Sequence, residues 1–591
     1  MATRRPSRGE GGEFPPPNLD LRFSEDKAID EGIVNHTRTS NATMMSESGQ
    51  IVYAPHNLIP YSEDFSNAAW LKTSISSSSP VHPDPLGSAK AVLVTTSTSG
   101  NGAILQDNIT TSKEKYIASV YLKKGTTDVV QFGLVDQGTS SVRAEVNLTN
   151  GTIATSDGSP QDLTITSLSD GWYRCSLSYT FPATGSDTFQ VRSGAASSSG
   201  DTFYAFGYLV EKVLTTSTTT PSTYIKSEGG ATYKERIEFT KEGDCRGLLV
   251  EPTSTNKIVD TSLSEIATAG KLWTGSSYGI GLGSESPNYT TGPDGNPTSG
   301  VLFNTEKTSW ATYHFAYDST TASASANYNG WSGSIYAKKE NASFLGMSFA
   351  NDLAIGAAFD LETGQVVNSA NCTASIEDVG NGWYRCKCEN LQNTDSAGWA
   401  WFGFSAKQTA AEAWNTDATG AYGAYYAVAS YEGVTGSFPF YTVDPNMLFL
   451  YGPQFEDSPV ATSYIPNPDH QTAGIERASD VTTITATDFA YGAAGASSWI
   501  LEASDLFEGS ETSHQASPLN VFEGGNEFLG LGQGFGGGTA SQFGIWYKDG
   551  TEYTDPVYTG SAGGGTKINR DSTYRIGIAL DVNDSAYTVN G

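Results

Sequence analysis

At 591 residues, with 34 basic against 64 acidic side chains, the chain carries a formal charge of −30. So large an acidic excess argues against nucleic-acid binding, whose affinity rests on cations meeting phosphates. No apolar run reaches membrane-spanning length, and the N-terminus lacks the apolar core of a signal peptide, so neither membrane insertion nor signal-led export is expected.

Short alternating runs bounded by Gly, Ser, Asn and Asp recur along the whole chain, and few stretches show a 3.6-residue apolar period. That pattern predicts an all-β protein of several antiparallel domains. The five cysteines have no zinc-site spacing, so free thiols in a reducing cytoplasm are expected.

Residues 1–17 form a flexible arm, with Arg4, Arg5 and Arg8 ahead of Pro15-Pro16-Pro17. Residues 18–56 read as a β lead-in segment, with Leu19-Asp20-Leu21-Arg22-Phe23 and Gln50-Ile51-Val52-Tyr53 as strands. Residues 57–226 supply about eight strand-like runs, enough for a two-sheet sandwich. Residues 227–255 read as a linker, and 256–467 as a second sandwich.

The two sandwiches are copies. Asp170-Gly171-Trp172-Tyr173-Arg174-Cys175 is echoed by Asn381-Gly382-Trp383-Tyr384-Arg385-Cys386. A fixed-period echo marks a duplicated unit, and Asp-Gly or Asn-Gly opens a hairpin. Alternation then puts Trp and Arg on one strand face and Tyr and Cys on the other. Val146-Asn147-Leu148-Thr149-Asn150-Gly151 resembles Phe359-Asp360-Leu361-Glu362-Thr363-Gly364, and Pro83-Asp84-Pro85 corresponds to Pro293-Asp294-Gly295. The offset grows beyond Cys386, so the second copy carries an insertion, at about 405–444. Residues 468–591 bring a third kind of β unit, including Trp499-Ile500-Leu501 and Phe543-Gly544-Ile545-Trp546. The chain stops at a turn with no returning strand, so this last unit is expected to be incomplete and the natural chain longer.

Several of these stretches resemble tailed-phage virion proteins of the tail-fibre or minor structural type. They are the Leu19 to Phe23 lead, the opening Asn57-Leu58-Ile59-Pro60-Tyr61-Ser62, the Gly-Trp-Tyr-Arg core, the exit Gly452-Pro453-Gln454-Phe455-Glu456 with Thr462-Ser463-Tyr464-Ile465, and Arg477-Ala478-Ser479-Asp480-Val481. The resemblance implies tandem jelly-roll sandwiches like carbohydrate-binding modules, followed by a concanavalin/laminin-G-like lectin sandwich. It also implies a virion location, assembly in the host cytoplasm, other virion proteins as partners through the arm and lead-in, a homo-oligomer (a trimer by class), and host surface glycan as ligand. Fold alone does not establish sugar binding.

Candidate glycan-binding residues lie in the insertion: Trp414, Tyr422, Tyr425, Tyr426 and Tyr431, with Glu412 and Asp417. Aromatic rings stack on sugar faces and carboxylates accept hydroxyl hydrogen bonds. The other reading is that these rings pack the loop onto its own domain or a neighbouring subunit. Trp172 and Trp383 read as core rather than as sugar platforms. Gly275-Ser276-Ser277-Tyr278-Gly279 matches a nucleophile-elbow string without its strand-turn-helix context, and no histidines pair at metal-ligand spacing, so no enzyme is expected. No cofactor is expected apart from a weak calcium option at Pro293-Asp294-Gly295-Asn296 or Asp581-Val582-Asn583-Asp584, loops open to it in sandwiches of this kind though their spacing lacks the full EF-hand set. The leading function is a phage appendage that binds host glycan. The alternatives are a purely structural capsid or tail decoration protein and a glycan depolymerase.

Overall fold

The two echoed stretches each open a strand, Trp172–Thr180 and Trp383–Glu389. Asp170 and Gly171 have φ of 56° and 76°, and Asn381 and Gly382 have 55° and 77°. This is the left-handed region that Gly enters freely and that Asp and Asn tolerate. The structure, a computed structural model, describes residues 34–102, 104–136, 140–214, 218–258, 261–263, 289–304, 311–314, 330–349, 355–392, 401–407, 410, 414–416, 422–424, 447–467, 474–484, 497–504, 516–522, 528–534, 542–549, 552–558, 573–581 and 584–589. The protein is all-β: apart from two short 3-10 turns, the regular elements described are strands.

In the first sandwich, one sheet runs edge to edge as Thr152–Asp157, Ser140–Asn147, Val129–Asp136, Gly185–Ser193, Ile104–Thr111 and Leu71–Thr73. The other runs Gln161–Ser167, Trp172–Thr180, Lys115–Lys124, Thr202–Val213, Val92–Thr96 and Ile75–Ser77. All ladders in both sheets are antiparallel. Alternate residues such as Val130, Phe132, Leu134, Cys175, Leu177, Phe189 and Val191 meet in one core between the sheets. Fully burying each such side chain contributes ~1.5–3 kcal/mol.

The second sandwich repeats this plan. Strands Gly300–Asn304, Met447–Glu456, Ser332–Lys339, Trp383–Glu389 and Thr373–Gly380 lie in one sheet. Ala311–His314, Trp401–Lys407, Phe344–Phe349, Gly356–Asp360 and Gln365–Ala370 form the other. Cys175 stands between Val120 and Ile165, and Cys386 between Ile335 and Ile376. Each copy carries a register shift at the same place, between Glu145 and Val146 in one and between Ala358 and Phe359 in the other.

The conserved plan has its own polar fittings. Asn57 donates from Nδ2 to the carbonyls of Tyr208 (2.9 Å) and Ile225 (2.8 Å), and its Oδ1 accepts from the N–H of Ile59 and of Val210, both at 3.1 Å. Asn256 donates to Pro453 (3.4 Å) and Ile465 (2.9 Å) and accepts from Ile258 (3.0 Å) and Phe455 (3.1 Å). Each Asn thus ties its sandwich's opening to its long last strand and to the exit segment. Arg174 donates to Ser119 Oγ (3.2 Å) and the Ser222 carbonyl (2.7 Å), and Arg385 to Ser334 Oγ (3.1 Å) and the Thr462 carbonyl (2.5 Å). Trp172 and Trp383 are buried in matching clusters, with Tyr121 and Phe206 or with Tyr336, Tyr451 and Tyr464. Both tryptophans are therefore packing residues, closed to a sugar ring.

The segment expected to be a linker is not slack. Arg236–Phe239 pairs with Cys245–Leu249. Arg236 then enters a buried ionic cluster with Arg38 of the lead-in and with Arg477 and Asp480, all with side chains fully buried. Asp480 accepts from Arg38 Nη1 at 2.7 Å and from Arg236 Nη2, while Glu251 accepts from Arg236 Nη1 at 2.6 Å. Ser463 adds its N–H and hydroxyl to Glu251, both at 2.7 Å. Four segments far apart in sequence converge here, so the Arg-Ala-Ser-Asp stretch closes the joint between the sandwiches. Burial pushes the Glu251 carboxyl up, but the Arg236 and Arg477 guanidiniums and the Ser463 hydroxyl outweigh it and hold the group at about 2. Its stabilisation is therefore full above the ordinary Glu range and drains as pH falls toward 2.

The C-terminal residues form a separate unit. One sheet orders Ser497–Ser504, Thr573–Asp581 and Asp584–Val589; the other orders Ala516–Phe522, Phe528–Gly534, Gln542–Asp549 and Glu552–Tyr558.

Candidate functional site

Inner residues of the first sandwich's Val129–Asp136 sheet are spent on the core, so function falls to the outward-facing alternates. Register sets them in rows. Thr155, Glu145, Gln131 and Arg192 align across four strands, and beside them Asp157, Arg143, Gly133 and Gln190 make a second row. Thr155, Glu145, Gln131 and Arg192 of the first row and Asp157 and Arg143 of the second line a shallow groove, which Asn101 and Ser156 complete. Among the described residues, no aromatic ring lines it.

The groove's charges are unequally engaged. Glu145 is 7% exposed and its Oε2 accepts from Gln131 Nε2 (3.1 Å) and the Ala195 N–H (2.8 Å). Arg192 donates from Nη2 to the Asn101 carbonyl at 2.6 Å, while its Nε is buried without a partner. Arg143 reaches Asp157 only at 3.8 Å, and its Nε too is buried and unpartnered. Gln190 is 2% exposed and its Oε1 has no partner. Burial lowers the pKa of Arg143, and the neighbouring Arg192 lowers it further. Gly133 separates Arg143 from Gln190 with no side chain. A Cβ there would stand 2.2 Å from the Val142 carbonyl oxygen, so the gap is enforced by the close approach of the two strands.

The second sandwich has lost this face. Its register-equivalent positions hold Gly346 for Gln131, Ala358 for Glu145, Gly356 for Arg143, Gly403 for Gln190 and Ser405 for Arg192. Ala358 is fully buried and packs with Phe344, Val367 and Ala370 in a small cluster apart from the main core. The insertion supplies a hairpin, Trp414–Thr416 paired with Tyr422–Ala424. Strand Tyr422–Ala424 lies against Phe344–Phe349, Gly356–Asp360 and Gln365–Ala370. Touching three successive strands, it crosses the sheet rather than extending its edge. The inner face is filled by the shared core, so the crossing is on the outer one.

Of the candidate insertion residues, Trp414 and Tyr422 occupy this hairpin, where only the backbone is described; Trp414 pairs with Ala424, and Thr416 with Tyr422. Glu412, Asp417, Tyr425, Tyr426 and Tyr431 lie outside the described residues, as do Ser276 of the nucleophile-elbow string and residues 1–33. Phe402 stands where the first copy has Phe189, and both are core residues. Asp294 is spent on its own turn, accepting from the Asn296 N–H (3.0 Å) and Ser299 hydroxyl (2.5 Å), with burial raising it to about 6. Among the described residues there is no metal-binding cluster of His, Cys, Asp and Glu, and no helix long and apolar enough to cross a membrane.

No known protein family and no curated protein matches the chain. Solved structures similar to it include TmCBM61 in complex with β-1,4-galactotriose, at 12% identity over 26% of this chain and 98% of that one, TM-score 0.19. Another is the CBM22-1–CBM22-2 tandem of Paenibacillus barcinonensis Xyn10C, at 10% identity over 68% and 98%, TM-score 0.18. A third is the enzymatically active domain of bacteriophage CBA120 tailspike protein 4, at 11% identity over 27% and 21%, TM-score 0.17.

Proposed function

We propose that this chain is a glycan-binding appendage protein of a tailed-phage virion, and that it reads its ligand on the outer sheet face of the first sandwich. The supporting observation is the polar groove itself, where Arg143 and Arg192 stand on one face and the Asp157 carboxylate is 3.8 Å from Arg143 and largely exposed. Polar side chains lining a concave face are suited to the hydroxyls of a saccharide. Low affinity at one groove is offset when several copies act together on one surface. The virion assignment rests on the sequence resemblance, and the motifs that carry it build the joints of the fold: Asn57, Arg385 and Asp480.

A glycan array probed with the full chain tests this reading. The sequence places the insertion at about 405–444, but Ser405–Lys407 complete the strand Trp401–Lys407, so binding to bacterial surface glycans by the intact protein, retained when residues 408–444 are removed, is the expected outcome. Silence of both forms on the array and on host cells would favour the decoration-protein alternative, and release of reducing sugar would favour a depolymerase.

A further inference from the structure

We infer that the groove selects an anionic saccharide, holding a carboxylate or phosphate substituent between Arg143 and Arg192. This rests on the glycan-recognition reading above and names the ligand class for that site. Arg143 is the main argument. A half-buried guanidinium has five N–H donors in a fixed fork, yet its nearest acid, Asp157, is 3.8 Å away and largely exposed. The other acid in the groove, Glu145, is turned toward Gln131 and the Ala195 N–H instead. Two cations therefore share one face with Glu145, which is bound by neutral donors below them, and with Asp157, which stands off at 3.8 Å.

A planar, doubly oxygenated anion matches the Arg fork bidentately, with charge-assisted bonds about twice as strong as neutral ones. The sugar ring carrying it would lie along Thr155, Glu145 and Gln131, whose polar side chains line the same groove. In a chain of charge −30 a local pair of arginines also limits the choice. A short acidic oligosaccharide reaches the groove, whereas a long polyanion such as nucleic acid is repelled by the remaining surface.

The test uses the full chain in calorimetric titrations with three probes: an oligogalacturonide, the same oligosaccharide with its carboxyls reduced to alcohols, and a phosphomannose oligosaccharide. An acidic probe is expected to bind about tenfold or more tighter than the neutral one. The preferred acidic arm tells carboxylate from phosphate. Arg143→Gln is expected to erase the difference with an unchanged melting curve, and Arg143→Lys to restore part of it, because charge survives without the fork. Equal binding of neutral and acidic probes, or an Arg143→Gln variant that keeps the acidic preference, would overturn the inference and leave glycan recognition standing. Failure of every probe to bind would overturn the inference alone if the glycan array still shows binding, and silence on the array as well would remove both.

Discussion

Replacing Asp480 with alanine is expected to destabilise the two-sandwich unit by ~3–5 kcal/mol, the usual cost of removing one partner from a buried ion pair. Asp480 is fully buried and accepts from both Arg38 and Arg236. Its loss leaves the buried Arg38 without a carboxylate and Arg236 with only Glu251. Glu251 cannot compensate, since Arg236 and Ser463 already engage it. The joined segments include the lead-in and the stretch between sandwiches, so the two tryptophan clusters are expected to unfold separately in urea, not together. Asp378→Ala is the control. Asp378 pairs with Lys241 at a side-chain exposure of 42%, and an exposed pair of this kind contributes ~0–1 kcal/mol. An Asp480→Ala protein as stable as the Asp378→Ala control would refute the clamp.

Asn57→Ala and Asn256→Ala are each expected to cost ~3–5 kcal/mol, and to cost similar amounts. Each Asn is fully buried, and each satisfies two carbonyls and two N–H groups that no water can replace. Asp in either place fares no better, because a carboxylate cannot donate to the two carbonyls. The pair is informative because the two residues sit at the same place in two copies. Stability measured by urea unfolding should fall in the first sandwich for one variant and in the second for the other. A loss below ~1 kcal/mol at either site would mean that the two copies do not share this fitting.

Much of this scaffold was legible in the sequence. The Asp-Gly and Asn-Gly turns, the period-2 alternation that puts Cys175 and Trp172 on opposite strand faces, and the reading of both tryptophans as packing residues all follow from local chemistry. The buried cluster was not legible, because Arg236 lies in a polar stretch with the composition of a linker and Asp480 follows it by 244 positions. The groove was hidden for a similar reason. Gln131, Arg143, Glu145 and Arg192 look like ordinary solvent-facing alternates until register brings four strands side by side. One signal was available: comparing the copies at alternate positions shows Gly346, Gly356 and Ala358 where the first copy has long polar side chains. Aromatic richness drew attention to the insertion, whose hairpin lies across that pared-down face.

Amide hydrogen exchange of the full chain, with and without a saturating acidic oligosaccharide, locates the recognition face most directly. Slowed exchange in residues 129–157 and 188–193, with residues 401–424 unchanged, is the predicted result. Protection that appears in the second sandwich's insertion and not on the first sandwich's sheet would contradict the account.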